Sequence, residues 1–476
     1  MSISDRVREI EREIDASIRQ LPTWRIPRAV VLRDLMCTYR DSIEVVFCNT
    51  LDVAIFDGSL ENFGPVFGQE NRLRAGSLWA LKWAIEYCPE ISATVNWSTK
   101  ELPDLLFLGA TYETFVDALK YAQLNLITIQ VDEASRTLTF YEGGPTTSFD
   151  SQIVDHLRNT TPITPHVSLT EDSDQLTSRW TAGDYRRVTK RLADHAAHEE
   201  NTIFADPAIL AQIGKPQISI PQPTLVWFDR PVNVPDCFAF DDLVFPNFID
   251  VKLKWRLVSL LDTPIVQVGE QFCALSSDLK AIAAIDDYML RLAARVDPDQ
   301  YSKASTLREC RMISICRDAL EQCMPPWSVT AHVLYKDPPQ EVDVLAIRDG
   351  KTLILQLKST LRPETPWEVY KRNEGIIEGV KHTKRLVDRD AANQGFVVTD
   401  GYSGDYSYWE EALASGIPIA TLYDLEVIAS DPVAAVAEVK NRMGITASAP
   451  EPLQGIPDRE GDLMGWTLRF IDSEGG

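Results

Sequence analysis

The stretch EVDVLAIRDGKTLILQLKST, residues 341–360, consists of two strand-like runs on either side of Asp349 and Gly350. An Asp-Gly pair is favoured at the centre of a two-residue type I′ turn, so the stretch predicts a β-hairpin. Such a turn places Arg348 opposite Lys351 and fixes the register of every later pair along the two strands. This hairpin decides the fold that we predict for the C-terminal part of the chain.

Four polar side chains are predicted to share one face of the hairpin, at the end away from the turn. The register places Asp343 opposite Gln356 and Glu341 opposite Lys358, with opposed Cβ atoms about 5 Å apart. A buried strand that ends in an amide and an ammonium group needs an explanation, because unpaired polar groups are costly to bury. The other face is predicted to be wholly apolar, with Val342, Val344, Leu353, Leu355 and Leu357.

Two explanations fit this polar cluster. Carboxylate and amide oxygens suit Mg²⁺, which stabilises charge that develops on a phosphate and lowers the pKa of a bound water. A lysine nearby can orient that water and offset phosphate charge. The alternative is structural: Glu341 and Lys358 form a cross-strand ion pair, and Asp343 and Gln356 are hydrogen-bonded beside it.

The composition limits the classes of function. The 476 residues include 47 Lys or Arg against 70 Asp or Glu, a net charge of −23, which argues against a protein that coats nucleic acid without specificity. Residues 351–389 differ, with nine basic against five acidic residues, and suit a local phosphate contact. The sequence contains no run of about 18 apolar residues, which a membrane-spanning helix would need. The charged N-terminus lacks the apolar segment of a secretory signal, so we expect a cytoplasmic protein.

The cysteines and two of the histidines are the other potential metal ligands in the sequence. The eight cysteines include no CxxC pair, so reduced thiols are expected rather than disulfides or a zinc site. His195 and His198 lie three residues apart in a charged, helix-like segment and could share a metal. The sequence offers no evident third ligand, and charged helix faces routinely have this composition.

The rest of the chain divides into three predicted regions. Residues 1–160 are predicted to form an α+β domain, which starts with an amphipathic helix and contains a hairpin in LITIQVDEASRTLTFYEG. Residues 161–295 are predicted to form a helical, proline-rich middle region, in which Ser276 or Ser277 caps a long helix. Residues 431–476 are predicted to be a linker and a C-terminal tail, whose apolar segment LMGWTLRFI could dock on the body of the chain or on a partner.

The elements around the hairpin resemble those of the PD-(D/E)XK nuclease superfamily. Asp343, Gln356 and Lys358 match its short D…(D/E/Q)xK signature. One helix candidate, LRECRMISICRDALEQC, precedes the hairpin, and another, PWEVYKRNEGIIEGVKHTKRLVD, follows it. A strand (GFVVTD), a helix (YWEEALASG) and a strand (IPIATLYDLEVI) come next. This ending and the QxK variant resemble the Mrr-like restriction endonuclease branch.

The resemblance covers residues 300–430 and implies the fold. It implies a multidomain α/β protein with a restriction-endonuclease-like α/β/α core and a mixed sheet. A mixed α+β, helix-rich N-terminal region would precede that core.

The resemblance also implies the roles of individual residues. Asp343 would bind the metal, Gln356 would offer its side-chain carbonyl to the same ion, and Lys358 would be the catalytic lysine. Glu309 on the preceding helix would complete the metal site, with Glu321 as its competitor. The cofactor would be Mg²⁺ or Mn²⁺.

Gln356 changes the charge of this implied site. An amide in place of a carboxylate removes one negative charge, so metal affinity should fall and activity should need Mn²⁺ or more Mg²⁺. Glu341 is an auxiliary residue that could restore some of that charge, although it also faces Lys358 in the predicted register.

The helix after the hairpin carries further candidate residues. Many relatives have a Gln after a small-residue step there, whereas this chain has Gly379 followed by His382; that histidine is an auxiliary candidate for a phosphate or water contact. Lys381, Lys384 and Arg385 are predicted to share one helix face and to bind phosphate, which positions a nucleic acid without reading its bases. The alternative for these three residues is a solvated surface.

The predicted function is that of a metal-dependent endonuclease, with DNA as the expected substrate. A restriction-like or phage-defence role rests on analogy alone. Residues 1–295 would then sense a signal, or bind a protein partner or a second copy of the chain; no membrane partner is expected. The alternatives are a catalytically inactive scaffold with a nuclease fold, and a helical interaction protein in which the hairpin is incidental.

Overall fold

The computed structural model has a mixed α/β fold, which confirms the predicted fold class. Among the helices it describes, none is long and apolar enough to cross a membrane. The described residues are 3–56, 63–90, 102–123, 127–142, 169–200, 202–204, 219–221, 223–230, 234–245, 262–336, 339–359, 361, 366–390, 393–400, 411–412, 414–447 and 459–472.

The chain forms two compact units. The first unit combines residues 1–144, 172–297 and 456–476, and the second combines residues 145–171 and 298–455. Both sides of the predicted boundary at position 160 therefore contribute to the first unit. The second unit contains residues 300–430, which the resemblance covers.

The first helix buries one apolar stripe, as its sequence predicts. α1 spans Ile3–Arg19 and places Ile10, Ile14 and Ile18 in the core, because residues three and four apart share a helix face. In this unit it is followed by α2 (Arg28–Phe56), α3 (Phe63–Tyr87), α4 (Leu102–Gln123), α5 (Ala182–Glu199), α6 (Val234–Leu243), α7 (Ser276–Ala284) and α8 (Asp286–Val296).

The C-terminal segment belongs to a sheet of the first unit. The predicted hairpin forms β1 (Ile127–Asp132) and β2 (Thr137–Glu142), and the sheet order is β1-β2-β14-β13. β13 (Arg459–Leu463) and β14 (Trp466–Asp472) form a second hairpin, and β14 pairs with β2 in parallel. Phe470 stacks on a buried phenylalanine of β2 with ring centroids 4.9 Å apart.

The prediction of a linker is wrong at the start of residues 431–476, because Pro432–Ala447 form a helix. The apolar tail LMGWTLRFI does dock on the body of the chain, one of the two alternatives predicted for it, and its side chains help to fill a core. Leu468 and Trp466 are fully buried.

The described residues of the first unit also form two short sheets. The long helix predicted in this unit is divided into two helices. α7 and α8 are separated at Ile285. The predicted serine cap is also wrong: Leu275 is the N-cap residue of α7, while the hydroxyl of Ser276 donates to Glu200 and accepts the backbone N–H of Thr224. The short sheets contain β3 (Thr202–Phe204) with β4 (Ser219–Pro221), and β5 (Leu225–Phe228), β7 (Gln271–Leu275) and β6 (Val266–Val268) in that order.

The second unit is built around a five-stranded mixed sheet. β10 is antiparallel to β9 and parallel to β11, and the sheet order is β12-β11-β10-β9-β8. The strands are β8 (Ser328–Lys336), β9 (Pro339–Arg348), β10 (Lys351–Lys358), β11 (Asn393–Thr399) and β12 (Ile419–Thr421). The helices are α9 (Pro298–Gln322), α10 (Pro366–Val387), α11 (Leu425–Ser430) and α12 (Pro432–Ala447).

The predicted helix, hairpin, helix and strand appear in that order. The last predicted strand, IPIATLYDLEVI, is wrong beyond its start, because β12 ends at Thr421 and the chain then turns into α11. Asp424 accepts the backbone N–H of Thr421, and this cap starts the helical turn. Most of the predicted helix YWEEALASG lies outside the described residues.

The turn of the hairpin has the predicted geometry. Asp349 has φ 52° and Gly350 has φ 74°, as a type I′ turn requires at its two central positions. The ladder follows the predicted register from Arg348–Lys351 to Val344–Leu355. Val344 and Leu355 share a hydrophobic cluster with residues of α9, namely Met312, Ile313, Cys316 and Leu320.

The regular alternation of faces breaks beyond this point. Val342 was predicted to lie with Val344, but it packs instead with Ile354 and with Leu386 of α10. His332, on the neighbouring strand, has φ 52°, which is a strained conformation for a residue with a side chain. The break lies at the position where the candidate site begins.

Candidate active site

Asp343 is held at the end of the ladder between β9 and β10. Its side chain is buried, and Oδ2 accepts the backbone N–H of Leu357 and Nε2 of Gln356, both at 2.6 Å. The predicted proximity of Asp343 and Gln356 is therefore confirmed. The bond from the backbone fixes the direction of the carboxylate without any help from a metal.

The surroundings of Asp343 disfavour its charge. Burial raises the pKa of this carboxyl to about 6, against the opposing effect of the Leu357 N–H. The charges of Glu309 and Glu341 raise the pKa further, and that of Lys358 lowers it. A carboxylate in such surroundings gains from a cation beside it.

Two oxygen atoms at this position have no hydrogen-bond donor among the described residues. Gln356 is buried, and its Oε1 has no partner. Oδ1 of Asp343 likewise accepts no bond from the part of the chain that is described. One carboxylate oxygen and one amide oxygen are a donor set that fits Mg²⁺ or Mn²⁺. The described residues contain no group of three His, Cys, Asp or Glu side chains arranged as a metal site, so Glu309 or water would supply the remaining ligands.

Lys358 reaches the site over a glycine of α10. A Cβ atom at Gly379 would lie 3.1 Å from Cε of Lys358 and 3.4 Å from a methyl group of Val397. The missing side chain at Gly379 thus makes room for the stem of the lysine. Lys358 is half-buried and makes no ion pair or hydrogen bond with the described residues.

Glu341 does not lie where the sequence places it. The predicted pair with Lys358 is wrong, because the side chain of Glu341 is 49% exposed and accepts a bond of 2.7 Å from Nδ1 of His332. β9 is a continuous strand at Glu341, but its side chains no longer alternate regularly between the two faces of the sheet. The structural explanation for the polar cluster therefore loses its main ion pair.

The two candidate glutamates on α9 differ in position. Glu309 is exposed, and its charge acts on Asp343. Glu321 is exposed in the last turn of the same helix, which ends at Gln322. Glu309 thus remains the candidate third metal ligand, beside Asp343 and Gln356.

His382 lies beside Lys358. Burial lowers the pKa of its imidazole, as do the charges of Lys358 and Arg385, and only Glu378 opposes them. Its backbone carbonyl accepts Nε2 of Gln340 at 2.8 Å. These surroundings favour the neutral imidazole, which can accept a hydrogen bond.

The predicted phosphate-binding residues are partly neutralised by carboxylates. Lys381 pairs with Glu411 at 3.1 Å, and Lys384 pairs with Asp388 at 2.6 Å. Arg385 is exposed and forms no ion pair with the described residues. These contacts leave their role as phosphate contacts a prediction.

Sequence reasoning missed a buried ion pair next to the site. Arg308 donates to Asp400 at 3.0 Å, and the hydroxyl of Ser359 donates to the same carboxylate at 2.9 Å. The signal that could have found it is the position of Asp400, which directly follows a strand parallel to β10.

The other metal candidates gain no ligands. His195 lies 3.4 Å from the carbonyl of Trp227, and its neighbour Asp194 pairs with Lys190. The cysteines that the structure describes are free thiols, namely Cys37, Cys88, Cys273, Cys310, Cys316 and Cys323.

Comparisons with known proteins do not identify a family. No protein-family profile matches the chain, and no curated protein matches it. A crystal structure of a protein from Vibrio cholerae is 12% identical over 77% of this chain and 82% of that one, with a TM-score of 0.18. A similarity this low carries no argument about fold or function.

Proposed function

We propose that the chain is a metal-dependent phosphodiester hydrolase acting on nucleic acid, with DNA as the expected substrate. The observation that carries the proposal is Lys358: its charge acts on Asp343, which is bonded to Gln356, and it has no ion-pair partner among the described residues. A lysine kept only for packing would be neutralised by a carboxylate, or exposed. Here its charge acts on the buried carboxylate of Asp343. Two residues earlier in β10, the amide oxygen of Gln356 has no hydrogen-bond donor among the described residues.

Each residue has a distinct part in this proposal. Asp343 and Gln356 would hold Mg²⁺ or Mn²⁺, with Glu309 as a further ligand or as a ligand through water. The bound ion would stabilise charge on the phosphate and make a water more acidic. Lys358 would donate hydrogen bonds to the attacking water or to a phosphate oxygen. His382 would accept a hydrogen bond from the same water or from a substrate group.

The test compares two lysines at opposite ends of β10. Lys358→Ala removes the ammonium group from the site, whereas Lys351→Ala removes one at the exposed turn. Each protein is incubated with plasmid, linear duplex, single-stranded DNA and RNA, in Mg²⁺, Mn²⁺ and EDTA. Cleavage by the wild type and by Lys351→Ala is expected to need metal, and Lys358→Ala should be at least about 100-fold slower. Equal cleavage by the two variants would remove Lys358 from the chemistry.

A second candidate function is a scaffold that retains a nuclease fold without activity. It is favoured by the bond from Gln356 to Asp343, which satisfies one carboxylate oxygen without a metal. The two proposals differ in what Mn²⁺ does: the hydrolase gains thermal stability from Mn²⁺ and loses that gain in Asp343→Asn. A wild type that neither binds Mn²⁺ nor cleaves any substrate would favour the scaffold.

For the first unit we propose a sensing or partner-binding role. Its support is only that the nuclease-like residues lie wholly in the second unit. A restriction-like or phage-defence role remains an analogy. The experiment is to measure cleavage by the full chain in metal, alone and with extract from uninfected or phage-infected cells. A rise in cleavage with either extract would support a sensing or partner-binding role, and unchanged cleavage would speak against it.

A further inference from the structure

A buried ion pair joins three segments of the second unit. Arg308 comes from α9, Asp400 directly follows β11, and Ser359 directly follows β10. Both charged side chains are at most 5% exposed. The carboxylate of Asp400 accepts Nη2 of Arg308 at 3.0 Å and the hydroxyl of Ser359 at 2.9 Å.

The sheet places this network directly beside the candidate site. β10 and β11 are parallel, and Lys358 pairs with Thr399 in their ladder. The next residue of each strand, Ser359 and Asp400, is therefore adjacent to the other at the carboxyl ends of the strands. Arg308 itself precedes Glu309, whose charge acts on Asp343.

Stability does not account for the pair. Two charges taken out of water lose hydration that their mutual attraction often fails to restore, and apolar replacements are frequently as stable. The network is also incomplete, since Nε of Arg308 is buried and has no partner among the described residues. What the pair does supply is direction, because a planar guanidinium bonds a carboxylate in few orientations.

We propose that Arg308 and Asp400 are positioning residues for the hydrolysis. Through Ser359 they fix the backbone at the end of β10, from which the Lys358 side chain extends. Through α9 they hold Glu309 towards Asp343. The inference rests on the proposed function for its role in catalysis, but the positioning itself can be measured in an inactive protein. Neither residue touches the reacting atoms in this proposal.

The first experiment removes one hydroxyl and leaves the buried charges paired. Ser359→Ala loses the bond to Asp400, and Ser359→Thr keeps it. Ser314→Ala is the matched control, because that hydroxyl bonds only a carbonyl one turn back in α9 at an exposed position. Ser359→Ala is expected to lower kcat about tenfold or more at an unchanged KM, while Ser359→Thr and Ser314→Ala keep wild-type kcat. Equal kcat in all three variants would overturn the proposal.

The second experiment needs no activity. Lysines are labelled with ¹³C-methyl groups, and the NMR signal of Lys358 is assigned with Lys358→Arg. Ser359→Ala and Asp400→Asn should shift or broaden that signal, whereas Ser314→Ala should leave it unchanged. A wild type without activity whose Lys358 signal still responds would refute the hydrolase and retain the positioning. An unchanged signal in folded Ser359→Ala and Asp400→Asn would refute the positioning.

Discussion

The carboxylate of Asp343 connects the backbone of the sheet to the candidate chemistry. It takes up the N–H of Leu357 where the ladder between β9 and β10 ends, so one of its oxygens is committed to the fold. In the part of the chain that the structure describes, the other oxygen and the amide oxygen of Gln356 accept no hydrogen bond, and the proposal assigns both to a metal ion. A fixed carboxylate needs no rearrangement when a cation binds, and this pre-organisation favours binding.

Gly379 is expected to matter for activity more than for stability. In Gly379→Ala the new Cβ would lie 3.1 Å from Cε of Lys358 and would push the lysine aside. Activity should fall about tenfold or more, since small displacements of reacting groups are costly. The control is Gly375→Ala on the same helix, where a Cβ meets no atom within 4 Å. That change should raise stability by about 0.5–1 kcal/mol and leave cleavage unchanged. Equal cleavage by the two variants would contradict this prediction.

Glu113 in α4 predicts a pH dependence of stability. Burial raises the pKa of its carboxyl to about 7, helped by Asp117 and opposed by Lys120, Trp79 and Lys82. The folded chain thus binds a proton more tightly than the unfolded chain, and stability should fall as pH rises from about 4.5 to about 7.

Urea unfolding of the wild type and of Glu113→Gln at pH 5 and pH 8 measures this effect. The variant lacks the titrating group, so its free energy of unfolding relative to wild type should rise by about 2 kcal/mol from pH 5 to pH 8. This value is smaller than the full pKa shift would give, because the side chain is partly exposed to solvent. A constant difference between the two proteins would contradict the prediction.

At the scale of the elements, local signals were sufficient for the hairpin and insufficient for its far end. The type I′ turn follows from Asp349 and Gly350 alone, and the register follows from the turn. The regular alternation of side chains ends near Asp343, where His332 has a positive φ. His332 belongs to β8, so the sequences of β9 and β10 alone do not reveal this distortion. The partner of Asp400 is likewise 92 residues away in the chain, so no local pattern could reveal it.

Residues 417–428 show a second limit of sequence patterns. IPIATLYDLEVI is apolar enough for a buried strand, yet only Ile419–Thr421 pairs with β11. A short apolar run is compatible with a strand or a buried helix, and here the cap at Asp424 decides for the helix.

The turn itself can be tested through one glycine. Gly350 has φ 74°, and a Cβ added there would meet no atom within 4 Å, so Gly350→Ala introduces strain without a clash. It should destabilise the second unit by about 1–2 kcal/mol. Lys351→Ala, next in sequence and exposed, should have little effect. Hydrogen exchange of the β9 and β10 amides would measure both, and equal protection in the two variants would refute the turn geometry.

For the whole molecule, chain order and spatial order differ. The first unit is assembled from three segments, and its β1-β2-β14-β13 sheet needs strands from both ends of the chain. Sequence analysis predicted the β1–β2 hairpin because it is local. Sequence analysis missed the pairing of β14 with β2. Its paired residues, such as Thr137 and Thr467, are separated in sequence by all the residues of the second unit.

This arrangement predicts which unit a truncation damages. Deletion of residues 459–476 removes β13 and β14 and exposes Leu138 and Phe140. It should unfold the sheet of the first unit rather than the second unit, which is nearer to the deletion in sequence. Hydrogen exchange should show loss of protection in β1 and β2 and retained protection in β10 and β11. Deletion of residues 473–476 alone is the control and should change neither. Retained protection in β2 after the longer deletion would contradict the prediction.

The late position of β14 has a consequence during protein synthesis. Thr137 is translated 330 residues before its partner Thr467, and a ribosome adds about 5–20 residues per second. The nascent chain therefore presents the unpaired edge of β2 for tens of seconds, while the second unit is already being made. An unpaired edge invites pairing with other chains. Slower growth of the chain, or many ribosomes on one message, should thus increase aggregation of this protein, and a chaperone that shields strand edges should reduce it.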